Sequence, residues 1–506
     1  MKMMPLLAAL AMSVGWGWRG DYGHEAGAMV PGALLGLAIA LTSGREDWVK
    51  RASLFAFLGA IGWAFGGQMS YGIVIGYTAH SSFPDVLYGY ACLFVIGALW
   101  GAIGAGILAL AITEPRSALE QFVGPLVCFY LVLTGLNLSG VTERLSGRWA
   151  LHDSDWVIAT AALLVAVIYG FLRPSARKAC TFIAVLAGGW WLGLIIFALL
   201  LNLRMTPPRS DNWAGCVGLW IALMLYHYRT QNRIALQLSL VGLLAGGIGF
   251  AVADWVNMAG RAKWGLIGSS ETLRALDSWK WMEQLFGLIM GLGVAIGFSR
   301  IAKHSVSPEE DQVPGRLRAV ALWFLLIVMP WENLHKNVQT WTEGNYLAEG
   351  LFGFSPQQWI FLVAVLLSLL IALVIWQYHQ NGLPMISTDA FGRAQMLFLL
   401  VLWIALVADF TRALPGMKSK GVLFVHLTFW LTALACTFIV LRLRQDATIT
   451  IQSESLTWQL NWKFGLSWAL IPLLIFVLAR LSVRMHTEPL PGSHLRFAAV
   501  GSTSPN

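Results

Sequence analysis

The stretch PLLAALAMSVGWGWRGDYGHEAGAMVPGALLGLAIALT, residues 5–42, joins two apolar runs through a break of polar residues and glycines. At about 1.5 Å per helical residue, each run nearly crosses a hydrocarbon layer of about 30 Å. Similar runs continue along the chain and predict about fourteen or fifteen spans. They lie near residues 4–18, 26–42, 52–66, 86–112, 121–139, 156–173, 181–201, 213–228, 235–253, 282–300, 317–334, 357–377, 394–411, 421–443 and 464–481. We therefore predict an all-α, polytopic integral membrane helix bundle.

The composition also indicates a membrane protein. Of 506 residues, 57% are hydrophobic and only 12% are charged, whereas about 25% of residues are charged in a soluble domain. The net charge of +8 is scattered over short loops and forms no basic stripe, so we expect the lipid bilayer and not nucleic acid as a partner. Residues 1–485 are predicted to form one transmembrane domain. The segment 486–506, rich in Pro, Gly and Ser, is predicted to be a disordered tail.

The distribution of basic residues predicts an orientation. Short cytoplasmic loops are enriched in Lys and Arg, and the basic segments fall on alternate loops, at residues 45–51, 173–178, 229–233 and 300–318. This pattern places the N-terminus in the cytoplasm, in what we expect to be a bacterial plasma (inner) membrane. The first apolar run lacks a small-residue cleavage site, so it is predicted to be a retained helix and not a signal peptide.

A helix-break-helix pattern occurs three times. Each time, an apolar run ends in a Gly-aromatic pair, polar and glycine residues follow, and the next helix carries glycines four residues apart; the pairs are Gly15-Trp16, Gly62-Trp63 and Gly249-Phe250. The pattern predicts repeat units 4–42, 52–112 and 235–300, with broken helices at 15–27, 62–72 and 249–260. Repeated units with broken helices are typical of secondary transporters. A chance similarity among glycine-rich segments is the alternative.

The first break concentrates ionisable side chains. Irregular backbone persists at membrane depth only where it lines a cavity or is buried in protein. The planar guanidinium of Arg19 suits a carboxylate or phosphate, and Asp21, His24 and Glu25 are candidates for a catalytic or proton-transferring role. The alternative is an interfacial loop in which Arg19 pairs with Asp21 while Trp16 and Trp18 anchor in the headgroup region.

Two further sets of polar residues interrupt apolar segments. Asp254 and Asn257 lie in the third break, and Glu283 enters the next helix. Glu332 and His335 are three residues apart, so a helix would place them on one face, where a proton or an ion could bind. The full set of predicted substrate-binding residues is Arg19, Trp18, Tyr22, Gln68, Tyr71, Asp254, Asn257, Glu283, Glu332 and His335. Asp409 is expected to pair with Arg412.

Several signatures are missing from the sequence. It contains no Walker A motif, GxSxG elbow or HExxH motif, and no GxGxxG between a strand and a helix. The five cysteines show no CxxC spacing and are odd in number, which argues against a disulfide framework or zinc site. We therefore expect neither a metal nor a cofactor, although these absences leave open whether the protein is an enzyme.

Three functions remain open. The leading hypothesis is a secondary transporter or permease for a small polar solute, anionic or sugar-like, with a site built from the broken helices. The alternative is a membrane-embedded glycosyl- or acyl-type transferase acting on a lipid-linked or extracytoplasmic substrate at the outer face. A third hypothesis is a structural subunit whose polar breaks bind a partner protein.

Overall fold

A computed structural model describes residues 3–23, 25–66, 69–145, 155–207, 212–274, 277–303, 315–343, 352–416, 419–444 and 462–497. These ranges are mostly helical and contain no strand, and twelve of their helices are long and apolar enough to cross a membrane. The predicted all-α polytopic bundle is confirmed. Among the other predicted spans, 4–18 and 52–66 correspond to shorter helices of 16 and 15 residues.

The principal helices follow the predicted spans. They are α1 Met4–Arg19, α2 Glu25–Thr42, α3 Ala52–Gly66, the short α4 Gly72–Thr78, α5 Phe83–Leu108, α6 Val123–Leu138, α7 Asp155–Leu172, α8 Arg177–Gly193, α9 Asn212–Arg229, α10 Arg233–Arg261, α11 Ser278–Ile301, α12 Gly315–Trp323, α13 Pro356–Asn381, α14 Ala390–Ala413, α15 Lys420–Arg442 and α16 Trp462–Met485. Helix α8 continues as a π-helix over Leu194–Leu200, and α12 continues through Phe324–Val328 to the helix Met329–Leu334. Short helical segments occur at Gly20–Tyr22, Glu46–Lys50, Leu110–Thr113, Arg116–Glu120, Val141–Leu145, Pro174–Ala176, Leu266–Ser269, Glu271–Arg274, Asn337–Glu343 and Leu414–Gly416.

Six helices form a closed ring at the centre of the bundle. Helix α1 packs on α2, α2 on α3, α3 on α5, α5 on α10, α10 on α11, and α11 returns to α1. Each predicted repeat unit supplies two neighbouring helices of this ring, although the internal repeat itself stays a prediction. Helices α2 and α5 are almost completely enclosed, whereas α13 exposes nearly all of its apolar surface at the periphery, as a lipid-facing helix would.

Glycines set the distance between neighbouring helices of the ring. A Cβ at Gly32 of α2 would overlap the carbonyl oxygen of Gly59 in α3, and one at Gly101 of α5 would overlap that of Gly242 in α10. Likewise, a Cβ at Gly287 of α11 would overlap the carbonyl oxygen of Met12 in α1. In a membrane the driving force between helices is close packing and not exclusion of water, so small residues allow this approach.

Two of the three predicted breaks occur. Helix α1 ends at Arg19, and the chain reverses through the turn Gly20–Tyr22 and Gly23, whose φ of 83° favours glycine. Helix α3 ends at Gly66, and α4 begins at Gly72. The third prediction is wrong, because α10 is one continuous helix of 29 residues through 249–260. Its glycines serve helix packing: Gly249 lies against Phe286 of α11.

The second break lies at membrane depth. A Cβ at Gly66 would be 2.7 Å from Cδ1 of Trp100, which is near the middle of the 31-residue span Phe83–Thr113. Helix α3 therefore ends about halfway along α5. From there the buried Met69 and Tyr71 lead into α4, which runs back beside the first half of α5. Non-helical backbone at this depth is stable because protein surrounds it.

The C-terminal segment differs from its prediction. Residues 486–497 are ordered against α4 and α5: the backbone N–H of Leu490 donates to the carbonyl oxygen of Ala79 at 2.9 Å, and that of His494 donates to Gly76 at 2.8 Å. The buried Asp85 carboxylate accepts from the backbone N–H groups of Arg496 and Phe497. Disorder was the wrong prediction because this segment finds partners at helix ends, which leave backbone groups unpaired. Residues 498–506 lie outside the described part of the chain.

A matched pair of alanine substitutions tests the role of the ring glycines. Gly101→Ala places a methyl group on the Gly242 carbonyl and should lower the free energy of unfolding by about 1–3 kcal/mol. Gly188→Ala, in α8, meets nothing within 4 Å and should be neutral or stabilising by up to about 1 kcal/mol. Thermal unfolding in detergent measures both, and equal midpoint shifts would refute the packing role.

Candidate functional site

The Arg19 side chain lies inside the ring on a floor of aromatic rings. Its guanidinium carbon is 4.6 Å from the ring centroid of Trp100, 5.3 Å from that of Tyr71 and 5.8 Å from that of Trp16. Arg19 is buried, and the faces of these rings attract its positive charge. Arg19 also ends α1, where a cation interacts favourably with the helix dipole. The alternative of an interfacial loop is wrong, because Trp16 and Trp18 are fully buried within the bundle.

Tyr71, from the second break, connects Arg19 to Glu283 of α11. Arg19 Nη1 donates to the Tyr71 hydroxyl at 3.0 Å, and this hydroxyl donates to Glu283 Oε1 at 2.6 Å. The indole Nε1 of Trp279 donates to the same oxygen at 3.2 Å. The two breaks and the N-terminal part of α11 therefore meet at one buried carboxylate.

Lys280 extends these contacts to the first break. Its Nζ lies 2.6 Å from Asp21 Oδ2, 3.4 Å from Glu283 Oε2 and 3.2 Å from the carbonyl oxygen of Gly17. We call Arg19, Tyr71, Glu283, Lys280 and Asp21 the charged relay. Its two cations balance its two carboxylates, which is the condition under which charges are tolerated in a low-dielectric interior.

Gly20 allows the first break to lie directly on this carboxylate. A Cβ at Gly20 would overlap Oε1 of Glu283, so any larger residue would separate the turn Gly20–Tyr22 from α11. At Gly27, a Cβ would overlap the carbonyl oxygen of Arg19. These two positions bring α1, α2 and α11 together around the relay.

The relay brings together Arg19, Asp21, Tyr71 and Glu283 from the predicted set, but sequence reasoning missed Lys280. The available signal was its spacing, because Lys280 precedes Glu283 by three residues and a helix places both on one face. Arg412 was assigned to the wrong partner: its Nε lies 3.9 Å from Asp21 Oδ1, and its guanidinium lies over the ring of Tyr22. Asp409 instead lies 3.2 Å from Nδ1 of His426.

Asp254 and Asn257 form a separate buried set. Asn257 Nδ2 donates to Asp254 Oδ1 at 3.1 Å, and Ser278 Oγ donates to Asn257 Oδ1 at 3.1 Å. Phe250, one turn before Asp254 on α10, packs edge-on against Tyr71 with ring centroids 5.0 Å apart. This set therefore neighbours the relay through the packing of Phe250 on Tyr71.

Glu332 and His335 have different hydrogen-bonding partners. Glu332 accepts from the Tyr130 hydroxyl at 2.9 Å, and His335 Nδ1 lies 2.7 Å from the carbonyl oxygen of Trp331. The neighbouring Lys336 contacts the first break, where its Nζ donates to the carbonyl oxygen of Tyr22 at 2.6 Å.

Three further residues of the predicted site are Glu25, His24 and Gln68. Glu25 begins α2 and interacts electrostatically with Lys336. His24 and Gln68 lie outside the described residues. Among those described, no group of three or more His, Cys, Asp or Glu side chains could hold a metal ion.

Two cavities lie beside these elements. One is a small pocket next to the first break, between Trp18, Tyr22 and Asn333. The other is a larger, partly open pocket between α3 and helices α6, α7 and α8, and its lining is almost wholly apolar. The small pocket adjoins the polar site, whereas the apolar lining of the larger pocket suits a hydrocarbon chain.

Comparison with known proteins finds no matching family model, no similar curated protein and no similar solved structure.

A double-mutant cycle tests the buried charge pair. Glu283→Gln leaves Lys280 with one buried carboxylate partner fewer, and breaking a buried pair costs about 3–5 kcal/mol of unfolding free energy. In the Glu283→Gln background, Lys280→Gln should lower the free energy of unfolding much less than it does in the unaltered protein, because the two charges are coupled. The surface pair Glu46 and Lys50, 2.9 Å apart and half-exposed, is the control; Glu46→Gln should change stability by less than about 1 kcal/mol. Additive effects at Glu283 and Lys280 in thermal unfolding would contradict the pairing.

Proposed function

We propose that this protein is a secondary transporter for a small anionic solute. The observation that carries the proposal is the position of the charged relay, at the depth of the middle of α5, where two chain breaks meet inside a ring of helices. Ionisable groups are costly at this depth, and in membrane proteins they mark solute and ion pathways. Broken helices supply such sites in transporters because their free backbone groups and mobile ends face the solute.

The arrangement of charges favours an anion. Arg19 is linked to the Glu283 carboxylate through the Tyr71 hydroxyl, and Lys280 contacts the carboxylates of both Asp21 and Glu283. A solute carboxylate or phosphate takes the place of one of these internal partners. The guanidinium of Arg19 suits both groups through parallel hydrogen bonds. Trp100 and Trp279 present aromatic walls to the rest of the solute.

Exchange of partners gives a route to alternating access. The relay carries no net charge when it is closed. An arriving anion then balances the charge of Arg19, and Glu283 pairs with Lys280. The turn Gly20–Tyr22 and the short α4 are the elements that move, because neither is part of a continuous helix across the ring. Conformations that differ by such exchanges have similar energies, as a reversible transporter requires.

We also propose that the relay faces the outside of a bacterial plasma membrane and that the N-terminus is cytoplasmic. The opposite end of the ring carries Arg45 and Arg51, which donate to the carbonyl oxygens of Ala302 and Ala111. Basic residues gather at the cytoplasmic end of membrane proteins.

A membrane-embedded transferase is the second candidate. The larger apolar pocket between α3 and helices α6, α7 and α8 supports it, because a lipid-linked substrate needs a place for its hydrocarbon chain. The base is then either the carboxylate of Glu25, near Lys336, or that of Asp21, beside Lys280. Formation of a lipid product by the purified protein, without solute movement, would favour the enzyme.

A substitution at Arg19 tests the anion site. Vesicles containing the purified protein should take up labelled phosphate or labelled gluconate and should exclude labelled glucose. The three solutes distinguish transport of a phosphate, a carboxylate and a neutral sugar. Arg19→Gln should weaken anion binding by about 2 kcal/mol or more, roughly 30-fold. Arg177→Gln, at the exposed start of α8, removes the same charge away from the relay and should leave uptake unchanged. Uptake of glucose alone, or of none of the three, would refute the proposal.

Cysteine labelling tests the orientation. In a variant without the native cysteines, Lys263→Cys lies exposed after α10 and Lys178→Cys lies exposed at the start of α8. A membrane-impermeant maleimide added to intact cells should label position 263, and should reach position 178 only after permeabilisation. The reverse pattern would invert the proposed topology.

A further inference from the structure

Asp409 of α14 and His426 of α15 form a buried pair that the charged relay does not include. Asp409 Oδ2 lies 3.2 Å from His426 Nδ1, and the two side chains are 1% and 9% exposed. Both residues stand outside the six-helix ring, on helices that pack against it through α2 and α1. Sequence reasoning assigned Asp409 to Arg412 and did not consider His426.

The surroundings of this pair connect it to the relay. The side chains of Asp21 and Lys280 act electrostatically on Asp409, and Asp409 acts on Tyr22. Arg412 lies one turn along α14 and contacts Asp21, while Lys336 donates to the carbonyl oxygen of Tyr22. The groups that come near the pair therefore belong to the first break, α11 and α14, and Lys336 adds a cation on the far side of Tyr22.

The other face of His426 is aromatic. Its ring lies edge-on to Phe429, with centroids 5.5 Å apart, and to Phe410, with centroids 6.4 Å apart. Phe429 in turn packs on Trp18 of α1. The histidine is therefore enclosed between apolar rings on one side and a carboxylate on the other, which is the setting of a group that exchanges a proton without exchanging larger ions.

We propose that Asp409 and His426 together bind the proton that drives transport at the charged relay. The inference rests on the proposed function, since it names the coupling ion for that same site. The empty pair, carboxylate and neutral imidazole, carries one negative charge; uptake of one proton from water makes it neutral, and release to water on the other side restores it.

This change of charge reaches the relay through Lys280 and Arg412. While the pair is negative, it competes with Asp21 for both cations. Loading with a proton removes the competitor, so Lys280 and Arg412 hold Asp21 more strongly and the first break closes over the solute. Coulomb interactions between unit charges are strong in a poorly screened interior, so one proton is sufficient to bias these contacts.

Infrared spectroscopy tests proton binding without any solute. Purified full-length protein in lipid vesicles, compared between acid and alkaline pH, should show difference bands from a carboxyl or imidazole group. These bands should vanish in Asp409→Asn and in His426→Gln, which serves as a second variant if the first folds poorly. Asp389→Asn, at the start of the same helix, removes a carboxylate but keeps a helix-capping side chain, and the bands should persist. Bands that persist in both pair variants would overturn the proposal.

Transport assays with labelled phosphate and gluconate test coupling. Exchange of either anion at equal pH on both sides needs no net proton movement and should survive in Asp409→Asn, whereas uptake driven by an acid exterior should be lost. Driven uptake that survives, or exchange lost together with it, would overturn the coupling role. If the proposed transport function itself is wrong, the unaltered protein will show no anion exchange. In that case the infrared measurement still decides whether the pair binds a proton.

Discussion

Contact between glycine backbones in the six-helix ring is the constraint on which the rest of the structure depends. Glycines at the α2/α3, α5/α10 and α1/α11 interfaces bring helix backbones so close that a single methyl group would overlap a carbonyl oxygen. This approach draws the aromatic side chains of Trp16, Trp100 and Phe286 into one packed centre. A wider ring would leave a void that neither water nor lipid could fill favourably.

The closed ring also accounts for the buried charges. Arg19, Glu283 and Lys280 lie where a charge without partners would be very costly, and each is stabilised by a neighbour that the ring holds in place. Gly20 permits the carboxylate to touch the first break, and the end of α3 at Gly66 makes room for Tyr71. The close helix contacts that exclude lipid therefore also bring together the side chains of the relay.

Much of the architecture could be predicted because its causes are local. The spans follow from apolar length, and the first break follows from charged residues and glycines between two such runs. The break at 249–260 was mispredicted because glycine has two uses: it can end a helix, or it can let a helix pack closely, and only the neighbouring α11 decides between them. The segment 486–497 was mispredicted for a similar reason, since its order depends on hydrogen-bonding partners in α4 and α5 that its own composition does not reveal.

By itself, the sequence determined that the chain is a helical membrane protein and that Arg19, Asp21 and Glu283 stand at interruptions of apolar segments. Hydrophobic length and the cost of charges in lipid are properties of short stretches, so they can be read without knowing the fold. Only the tertiary structure decided which charges meet. The partners of Lys280, Arg412 and His426 come from other helices, and the choice among the carboxylates within reach depends on ångström-scale distances set by the packing of the ring.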